Sequence, residues 1–397
     1  MTMSAVSALG LALASSGPAL ASPPSALPLA PVRSGVASAI AALGLAVAAD
    51  LAVGEPPTRL HPVAWFGSLV GRVDREWGRP RLVGVAVAVA FPLAAAVALG
   101  GLVAVAAEFG PRTAGSSVLA IVVAAGILSA SASLRMLLDV TADVVAATET
   151  DPAAARESVR ALVGRDLAAL SPAQIRSAAV ESATENLADG FVAPLWWFAV
   201  GTTLGAVLDA LAAPVGTVPS TSLASSTSLA SSTSLASSAS LALPTSLVLP
   251  LGVAAAVWIK GVNTLDSMLG YRTKPIGWAS ARLDDLAMYL PARASAGCLA
   301  VAALAVGGTP LRDVLRRARS WAREPASPNS GWPMAVGAAA LDVRLEKPGN
   351  YALNPAVDPP TAADGERAVR LVGAAGGVAV AATAGWLLAL AGVTAWL

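Results

Sequence analysis

The sequence predicts an all-α, polytopic integral membrane protein with about five or six transmembrane helices and cytoplasmic helical segments. Of its 397 residues, 55% are hydrophobic and only 13% are charged, which is about half the charged fraction of an ordinary soluble domain. The apolar residues form runs long enough to cross a membrane, and the arginines lie in alternate connections between those runs. These observations argue against a wholly water-soluble fold.

Six apolar runs approach or exceed the length of about 20 residues that a helix needs to cross a hydrocarbon core of about 30 Å. They cover residues 36–53, 82–107, 115–138, 191–213, 245–262 and 371–397. A seventh apolar stretch, residues 297–308, is only about a dozen residues long. We expect a buried or re-entrant helix there rather than a crossing.

The distribution of basic residues predicts which connections are cytoplasmic, because short cytoplasmic loops retain Lys and Arg. Residues 54–81 and 139–190 are rich in arginine, and residues 263–370 contain thirteen basic residues. The connection after the second apolar run has only Arg112, and residues 214–244 have no Lys or Arg. We therefore expect a multi-pass protein of the cell membrane with its N-terminus outside and its arginine-rich loops inside.

The chain divides into five parts on this basis. Residues 1–35 are an N-terminal extension or a weak signal-like segment, since no basic residue precedes their apolar core. Residues 36–213 form membrane helices with the two cytoplasmic loops 54–81 and 139–190. Residues 214–244 repeat Ser-Leu-Ala-Ser-Ser-Thr and are typical of a low-complexity exported linker. A membrane helix and a long cytoplasmic region occupy residues 245–370, and a C-terminal membrane helix occupies residues 371–397.

Composition also excludes several classes of function. One cysteine, Cys298, and one histidine, His61, cannot build a disulfide, a thiolate metal cage or a two-histidine metal site. A net charge of +1 gives no field for binding nucleic acid. The sequence contains no P-loop, no dinucleotide-binding glycine pattern and no Gly-x-Ser-x-Gly elbow. The chemistry must therefore come from carboxylates, amides, hydroxyls, arginines and lysines.

The first polar segment follows the first apolar run. Glycine and three prolines predict a rigid turn that carries Glu55, Arg59 and His61, with Trp65 and Phe66 beside it at the interface. A capped helix end anchored by aromatic side chains explains most of this pattern, and a lone histidine in such a turn is more often structural than catalytic.

The second polar segment is a predicted helix from Pro172 to Asp189, with Ser171 as its N-cap. Glu181, Glu185 and Asp189 recur every four residues and share one stripe, with Asn186 beside them. Like charges at this spacing repel, so either Mg²⁺ or arginines from elsewhere are expected to compensate them. A solvated helix face is the alternative interpretation.

Two more polar segments follow the fifth apolar run. Residues 260–293 offer Asn263, Asp266, Lys274, Arg282, Asp284, Asp285 and Arg293. Acids beside a membrane are functional candidates, because burying them without a partner is costly. Residues 327–331 form a predicted tight turn, with Ser327 and Asn329, that could present backbone N–H groups to an anion.

These four segments together resemble the CobD/CbiB family of cobalamin biosynthesis. The resemblance is carried, in order, by GEPPTRLHPVAWFG, GRDLAALSPAQIRSAAVESATENLADGFVAPLWW, VNTLDSMLGY with ARLDDLAMYLPAR, and SPNSGWPMAVGAAAL. It implies an enzyme of adenosylcobinamide-phosphate synthesis, in which ATP drives amide formation between aminopropanol or its phosphate and the ring D propionate of adenosylcobyric acid. Other membrane enzymes of the pathway are possible partners. Glu55 stands where many relatives have aspartate, which keeps the carboxylate.

The implied chemistry assigns a role to each candidate residue. An acyl phosphate made from ATP requires Mg²⁺, which we expect Glu181, Glu185 and Asp189 to bind with Asp284 or Asp285. The metal ligands expected first are Glu185, Asp189 and Asp285. A carboxylate or His61 would accept the proton of the attacking amine. Substrate and nucleotide binding is assigned to Arg59, Asn186, Asn263, Asp266, Lys274, Arg282, Arg293, Ser327 and Asn329.

Two interpretations from other classes stay open at this point. A membrane transporter would place its acids mid-span between inverted repeats, and no such repeat is visible in the sequence. A non-catalytic membrane sensor on the same scaffold would not need the acidic clusters.

Overall fold

A computed structural model of the chain describes residues 29–113, 115–151, 153–155, 170–213, 246–306 and 310–396. Within these residues the structure is almost wholly helical, which confirms the predicted fold class. The predicted linker 214–244, residues 1–28 of the predicted extension and residues 156–169 of the predicted loop 139–190 lie outside the described residues.

Thirteen helices are considered below. They are α1 (Ala30–Val53), α2 (Pro62–Gly71), α3 (Pro80–Glu108), α4 (Val118–Ser131), α5 (Arg135–Thr150), α6 (Pro172–Leu187), α7 (Ala193–Ala212), α8 (Val248–Leu269), α9 (Trp278–Ala287), α10 (Tyr289–Val306), α11 (Leu311–Trp321), α12 (Gly331–Leu341) and α13 (Ala362–Trp396). A π-helical turn, Ala188–Val192, joins α6 to α7.

The described residues also form two 3-10 turns, Thr58–Leu60 and Pro275–Gly277, and two small antiparallel hairpins. β1 (Arg112–Thr113) pairs with β2 (Ser116–Ser117). β3 (Leu345–Lys347) pairs with β4 (Tyr351–Leu353), with Leu345 opposite Leu353. The second hairpin packs on α6, where the backbone N–H of Glu346 donates to the Ser177 hydroxyl at 2.8 Å.

Seven helical segments in the described part of the chain are long and apolar enough to cross a membrane. They are α1, α3, α4 with α5, α6 with α7, α8, α10 and α13. The predicted five or six crossings are therefore approximate, and the added candidate is α10. This helix contains residues 297–306 of the stretch that we expected to be too short, and it is longer because it begins eight residues earlier, at Tyr289.

Contacts between the chain ends limit how many of these candidates cross. Arg33 at the start of α1 donates to the carbonyl oxygens of Thr394 and Ala395 at the end of α13, at 2.9 and 3.3 Å. The start of α1 and the end of α13 thus lie on the same side of a membrane. If the described helices alone cross, their number is even, so at most six of the seven candidates cross in full.

The contacts of α10 identify it as the candidate that does not cross. Arg293 in its first turns donates to Asn329 at 2.8 Å, and Asn329 donates to the Asp285 carbonyl oxygen at 2.8 Å. Residue 329 therefore lies beside the start of α10, so the chain after α10 turns back to the side from which α10 begins. The return path, α11, carries Arg312, Asp313, Arg316, Arg317 and Arg319. Such a helix is too costly to place across a bilayer, so α10 stays on one side.

Glycines let the central helices α7 and α8 approach each other closely. A Cβ on Gly201 would lie well inside van der Waals contact with the Leu251 carbonyl oxygen, and one on Gly205 would lie 2.6 Å from the Leu247 carbonyl oxygen. Gly201 and Gly205 form a small-xxx-small pair, which is typical of tightly packed membrane helices. This pair fixes α8, and hence its polar end, against the bundle.

Candidate functional site

The acids of the third polar segment line one cleft at the end of the bundle where α1 and α8 end, here called the motif end. Asp266 in α8 and Asp284 and Asp285 in α9 face a space of ≈ 680 Å³, here called the first cleft. Its other charged or hydroxyl-bearing lining residues are Arg81, Tyr271, Arg272, Lys274, Arg282 and Ser327. Acids of the third polar segment therefore share one cleft with Arg81 and Ser327, which are distant from them in the sequence.

The π-helical turn brings the second polar segment to these acids. α6 begins as predicted at Pro172, where Ser171 and Gln174 form a capping box. At its other end the Asp189 carbonyl oxygen accepts a hydrogen bond from the Asn263 amide at 3.1 Å, which ties the turn to α8. The Asp189 carboxylate lies within electrostatic range of Glu185, Asp266 and Asp284.

Asp284 is the most perturbed carboxyl outside the membrane-spanning helices in the described residues. Burial, followed by the negative charges of Asp266, Asp285 and Glu185, raises its pKa from 3.8 to about 8. The protonated form is favoured because the ionised form would be both desolvated and repelled. A cation bound in the first cleft would reverse this preference, so Asp284 is poised to exchange a proton near neutral pH.

Lys260 links the first polar segment to the acids. Its ammonium group in α8 interacts electrostatically with Glu55, in the turn after α1, and with Asp189. Glu55 in turn lies 3.4 Å from the Nε2 atom of His61. Three segments that are distant in the sequence therefore meet around one half-buried lysine.

The structure gives His61 a capping position. Its Nδ1 accepts a hydrogen bond from the backbone N–H of Val63 at 3.2 Å, as the N-cap of α2. The lone pair of Nδ1 is thereby occupied, and Nε2 faces Glu55, so the ring proton belongs on Nε2. This arrangement favours the structural interpretation of His61 over the predicted role as a base. The nearby Arg59 side chain is exposed, and its carbonyl oxygen accepts from the Trp65 indole at 2.9 Å.

Glu181 does not join the other carboxylates of its predicted stripe. It is 3% exposed, and its Oε2 accepts from the Tyr351 hydroxyl at 2.9 Å, on the hairpin β3–β4. Ser177 donates to its other oxygen at 3.4 Å. The predicted helix ends at Leu187, so Asp189 lies in the π-helical turn, and the hairpin covers α6 at Glu181. Glu181 is thus held by the hairpin, away from the first cleft.

The tight turn at residues 327–330 is held by its own polar side chains. The Ser327 hydroxyl accepts from the backbone N–H groups of Asn329 and Ser330, at 3.2 and 3.3 Å. Arg293 donates to the Pro328 carbonyl oxygen at 3.3 Å and stacks 3.7 Å from the Tyr289 ring centroid. Predicted ligand contacts of Arg293 and Asn329 therefore compete with bonds that fasten the turn to α9 and α10.

The remaining predicted binding residues are also partly engaged. Lys274 donates to Asp74 at 2.6 Å, and Arg282 lies 3.4 Å from Asp285. The Asn186 amide donates to the Ser182 carbonyl oxygen at 2.9 Å within α6. Lys274 and Arg282 nevertheless line the first cleft, where an anionic ligand could recruit them.

Comparison with known proteins places the chain in a family. The family model described as CobD/Cbib protein matches residues 43–372, which include all four polar segments. The chain belongs to the CobD/CbiB family. It is 33% identical over 335 residues to "Probable cobalamin biosynthesis protein CobD" of Methanothermobacter thermautotrophicus, covering 83% of this chain and 91% of that protein.

Relatives from other organisms agree with this assignment. "Cobalamin biosynthesis protein CobD" of Rhodobacter capsulatus is 32% identical over 328 residues, covering 79% of this chain and 84% of the relative. The protein of the same description from Mycobacterium tuberculosis is 33% identical over 307 residues, covering 76% and 79%. No solved structure matches the chain. The predicted family is thus confirmed.

A preformed metal site is not part of this CobD/CbiB chain in its described residues. No three or more His, Cys, Asp or Glu side chains there are arranged to hold a metal ion. The predicted set of Glu185, Asp189 and Asp285 is therefore not a ready coordination sphere. The donor chemistry of the first cleft still suits Mg²⁺, which is commonly held by one or two carboxylates together with substrate phosphates.

A second cleft adjoins the first and was not predicted. Its volume is ≈ 320 Å³, and Glu185, Glu324, Lys347, Asn350 and Tyr351 are among its lining residues. Ala326 and Ser327 line both clefts, so the tight turn separates them.

Lys260 was likewise not assigned a role in the sequence. It had a recognisable signal, since it is a lone charge near the end of an apolar run and intramembrane charges are usually functional. Arg81 and Arg272 had no recognisable signal in the sequence. They line the first cleft only because of how α3 and the connection after α8 pack.

Proposed function

We propose that this protein catalyses an ATP-dependent amide ligation in cobalamin biosynthesis. The carboxylate would be the ring D propionate of adenosylcobyric acid, and the amine would be aminopropanol or aminopropanol phosphate. The product would be adenosylcobinamide or its phosphate. Membership of a cobalamin biosynthesis family implies a corrinoid substrate and a membrane environment. The reaction and the particular substrates are the proposal.

The observation that supports the reaction is the meeting of acids and cations in the first cleft. Arg81, Arg272, Lys274 and Arg282 line it together with Asp266, Asp284 and Asp285. Cationic side chains suit the phosphates of ATP, and carboxylates suit the Mg²⁺ that accompanies them. When bound, Mg²⁺ would neutralise charge on the transferring phosphoryl group. Asp266 and Asp285 are the carboxylates best placed to hold it.

Asp284 is the group proposed to accept the proton of the attacking amine. Amide formation requires the amine as a free base, while its resting form in water is an ammonium ion. A general base works best when its pKa is near the working pH, and burial and neighbouring acids raise the pKa of Asp284 to about 8. Lys260 and Asp189 would position the acids around it, and Glu185 would lie between the two clefts.

A reconstituted assay tests the proposal directly. Purified protein in detergent is given adenosylcobyric acid, Mg-ATP and either aminopropanol or aminopropanol phosphate, and the amide is detected by mass. We expect product with one of the amines, none without ATP and a loss of at least about 100-fold for Asp284→Asn, in the range typical of removing a general base. Asp313→Asn, on the distant α11, is the matched control and should retain activity.

Two results would contradict the proposal. Folded wild-type protein that gives no amide with either amine would favour a transporter or a sensor. Full activity of Asp284→Asn would leave the ligation in place but remove the first cleft as its site.

The orientation of the motif end toward the cytoplasm is a further part of the proposal. Arg59, Arg72, Arg75, Arg79 and Arg81 follow α1 at the motif end, whereas Arg33 and Arg112 lie at the opposite end. Short loops with many arginines are typically cytoplasmic. A cysteine introduced at the exposed Gly78 should resist a membrane-impermeant maleimide in intact cells, and one at Thr113 should react. The reverse pattern would place the motif end outside.

A further inference from the structure

The connection between α1 and α3, residues 54–79, contains a short helix that lies at the motif end, and it is called the α2 segment here. α2 has ten residues, too few to cross a bilayer. One side packs on the bundle, where Phe66 meets Phe91 edge to face with ring centroids 6.4 Å apart. The other side exposes apolar side chains, with Leu60 at 57%, Trp65 at 58% and Leu69 at 44%.

The same segment exposes an excess of arginine. Arg59, Arg72, Arg75 and Arg79 are all exposed, and Arg81 continues the series at the start of α3. None of these guanidinium groups forms an ion pair within the described residues. Of the three acids in the segment, Glu55 lies 3.4 Å from His61 and Asp74 is paired with Lys274 at 2.6 Å. Glu76 is the third, so the five arginines outnumber the acids. Arg75 lies over the Trp77 ring, 4.2 Å from its centroid, in a cation–π contact.

We propose that the α2 segment binds the headgroups of anionic phospholipids. Its exposed apolar side chains would enter the boundary of the acyl chains, and its arginines would meet the lipid phosphates. Charge complementarity supports this occupant, because a chain with a net charge of only +1 concentrates unpaired cations here. Position supports it as well, because the segment joins two membrane helices and cannot leave the interface.

The lipid-binding surface is continuous with the first cleft. Asp74 of the α2 segment pairs with Lys274, which lines the cleft, and Arg81 lines it directly. Lipid bound to the segment would therefore restrict the motion of Lys274 and Arg81 in the first cleft. The lipid preference itself does not depend on which reaction the cleft performs.

The preference of the α2 segment for anionic lipid can be measured without any assay of activity. Purified full-length protein in detergent is incubated with equal amounts of phosphatidylglycerol and phosphatidylcholine, and bound lipids are counted by native mass spectrometry. We expect wild type to prefer phosphatidylglycerol. The triple variant Arg72→Gln, Arg75→Gln, Arg79→Gln should lose at least about tenfold in this preference, since each arginine near an anionic surface contributes roughly fivefold.

A matched triple variant removes the same charge elsewhere. Arg312→Gln, Arg316→Gln, Arg319→Gln on α11 changes three exposed arginines and should keep the preference of wild type. Raising the salt from about 0.05 M to about 0.5 M should weaken retention by wild type, which tests the idea even if a variant folds poorly. Equal loss in both triple variants, or no preference and no salt effect in wild type, would overturn the proposal.

Discussion

Asp284→Asn should make the folded protein more stable while removing its activity. The folded structure destabilises the ionised form of the Asp284 carboxyl, and asparagine has no ionised form. Burial and the charges of Asp266, Asp285 and Glu185 hold its pKa at about 8, against 3.8 for an ordinary aspartate. Above pH 3.8 the unfolded chain ionises this group freely, whereas the folded protein does not. Asparagine has nearly the same shape and no charge, so it avoids this cost.

The sign and size follow from the difference between the two pKa values. A group whose pKa is raised by folding contributes no penalty below its unfolded value, a growing penalty above it, and a constant penalty above its folded value. At pH 7 the solution is about 3 pH units above the unfolded pKa of 3.8. At about 1.4 kcal/mol per pH unit, the penalty to the free energy of unfolding is roughly 4 kcal/mol. Asp284 is half-buried and water screens part of this interaction, so we expect a gain of about 1 to 4 kcal/mol for the variant.

Thermal unfolding in detergent over a range of pH measures this gain. The Tm of Asp284→Asn should equal that of wild type near pH 4, exceed it by several °C near pH 7, and keep a constant advantage above about pH 8. Asp313→Asn on α11 provides the control, since its side chain pairs with Arg316 and is not in the acidic cluster. A difference in Tm that does not change with pH, or a less stable Asp284→Asn at high pH, would refute the reasoning.

Three further predictions follow from particular contacts. Asp266→Asn and Asp285→Asn, at two acids of the first cleft, should each abolish amide formation while the protein still inserts and accumulates, and product mass together with membrane yield checks this; normal turnover in both would remove the proposed metal role. Lys260→Met should lower turnover at least about tenfold and Lys260→Arg should restore most of it, because Glu55 and Asp189 share this one cation; equal losses in both variants would point to packing instead of charge. Gly201→Val should cost about 2 kcal/mol or more and reduce the yield of folded protein by forcing α7 from α8, whereas Gly44→Val, where a Cβ meets nothing within 4 Å, should not.

Much of the fold could be predicted because membrane helices are defined by local composition. The predicted run 82–107 lies within α3, and the run 191–213 closely matches α7. The run 115–138 covers α4 and the start of α5, which are separated by a break at residues 132–134, and α5 continues to Thr150. α5 carries Asp139, Asp143 and Glu149, which end an apolar run without ending a helix. Its apolar face is buried against α6.

The candidate site was predicted in part. The segments that supply Asp189, Asp266 and Asp284 were recognised, and the structure brings these residues together. Helical spacing also placed Glu181 in the same stripe, but the hairpin β3–β4 covers that residue. Spacing along one helix cannot show what packs on it from a segment 170 residues away.

The sequence by itself determined that this chain lies in a membrane, where most of its helices run and which four segments carry the resemblance to its family. Each of these properties depends on residues within about 20 positions of one another, through hydrophobicity, charge and turn chemistry. The tertiary structure alone decided that Lys260 faces Glu55 and Asp189 and that Asp284 lies among three other acids. Those outcomes depend on how distant helices pack, because electrostatic and van der Waals forces act through space and not along the chain.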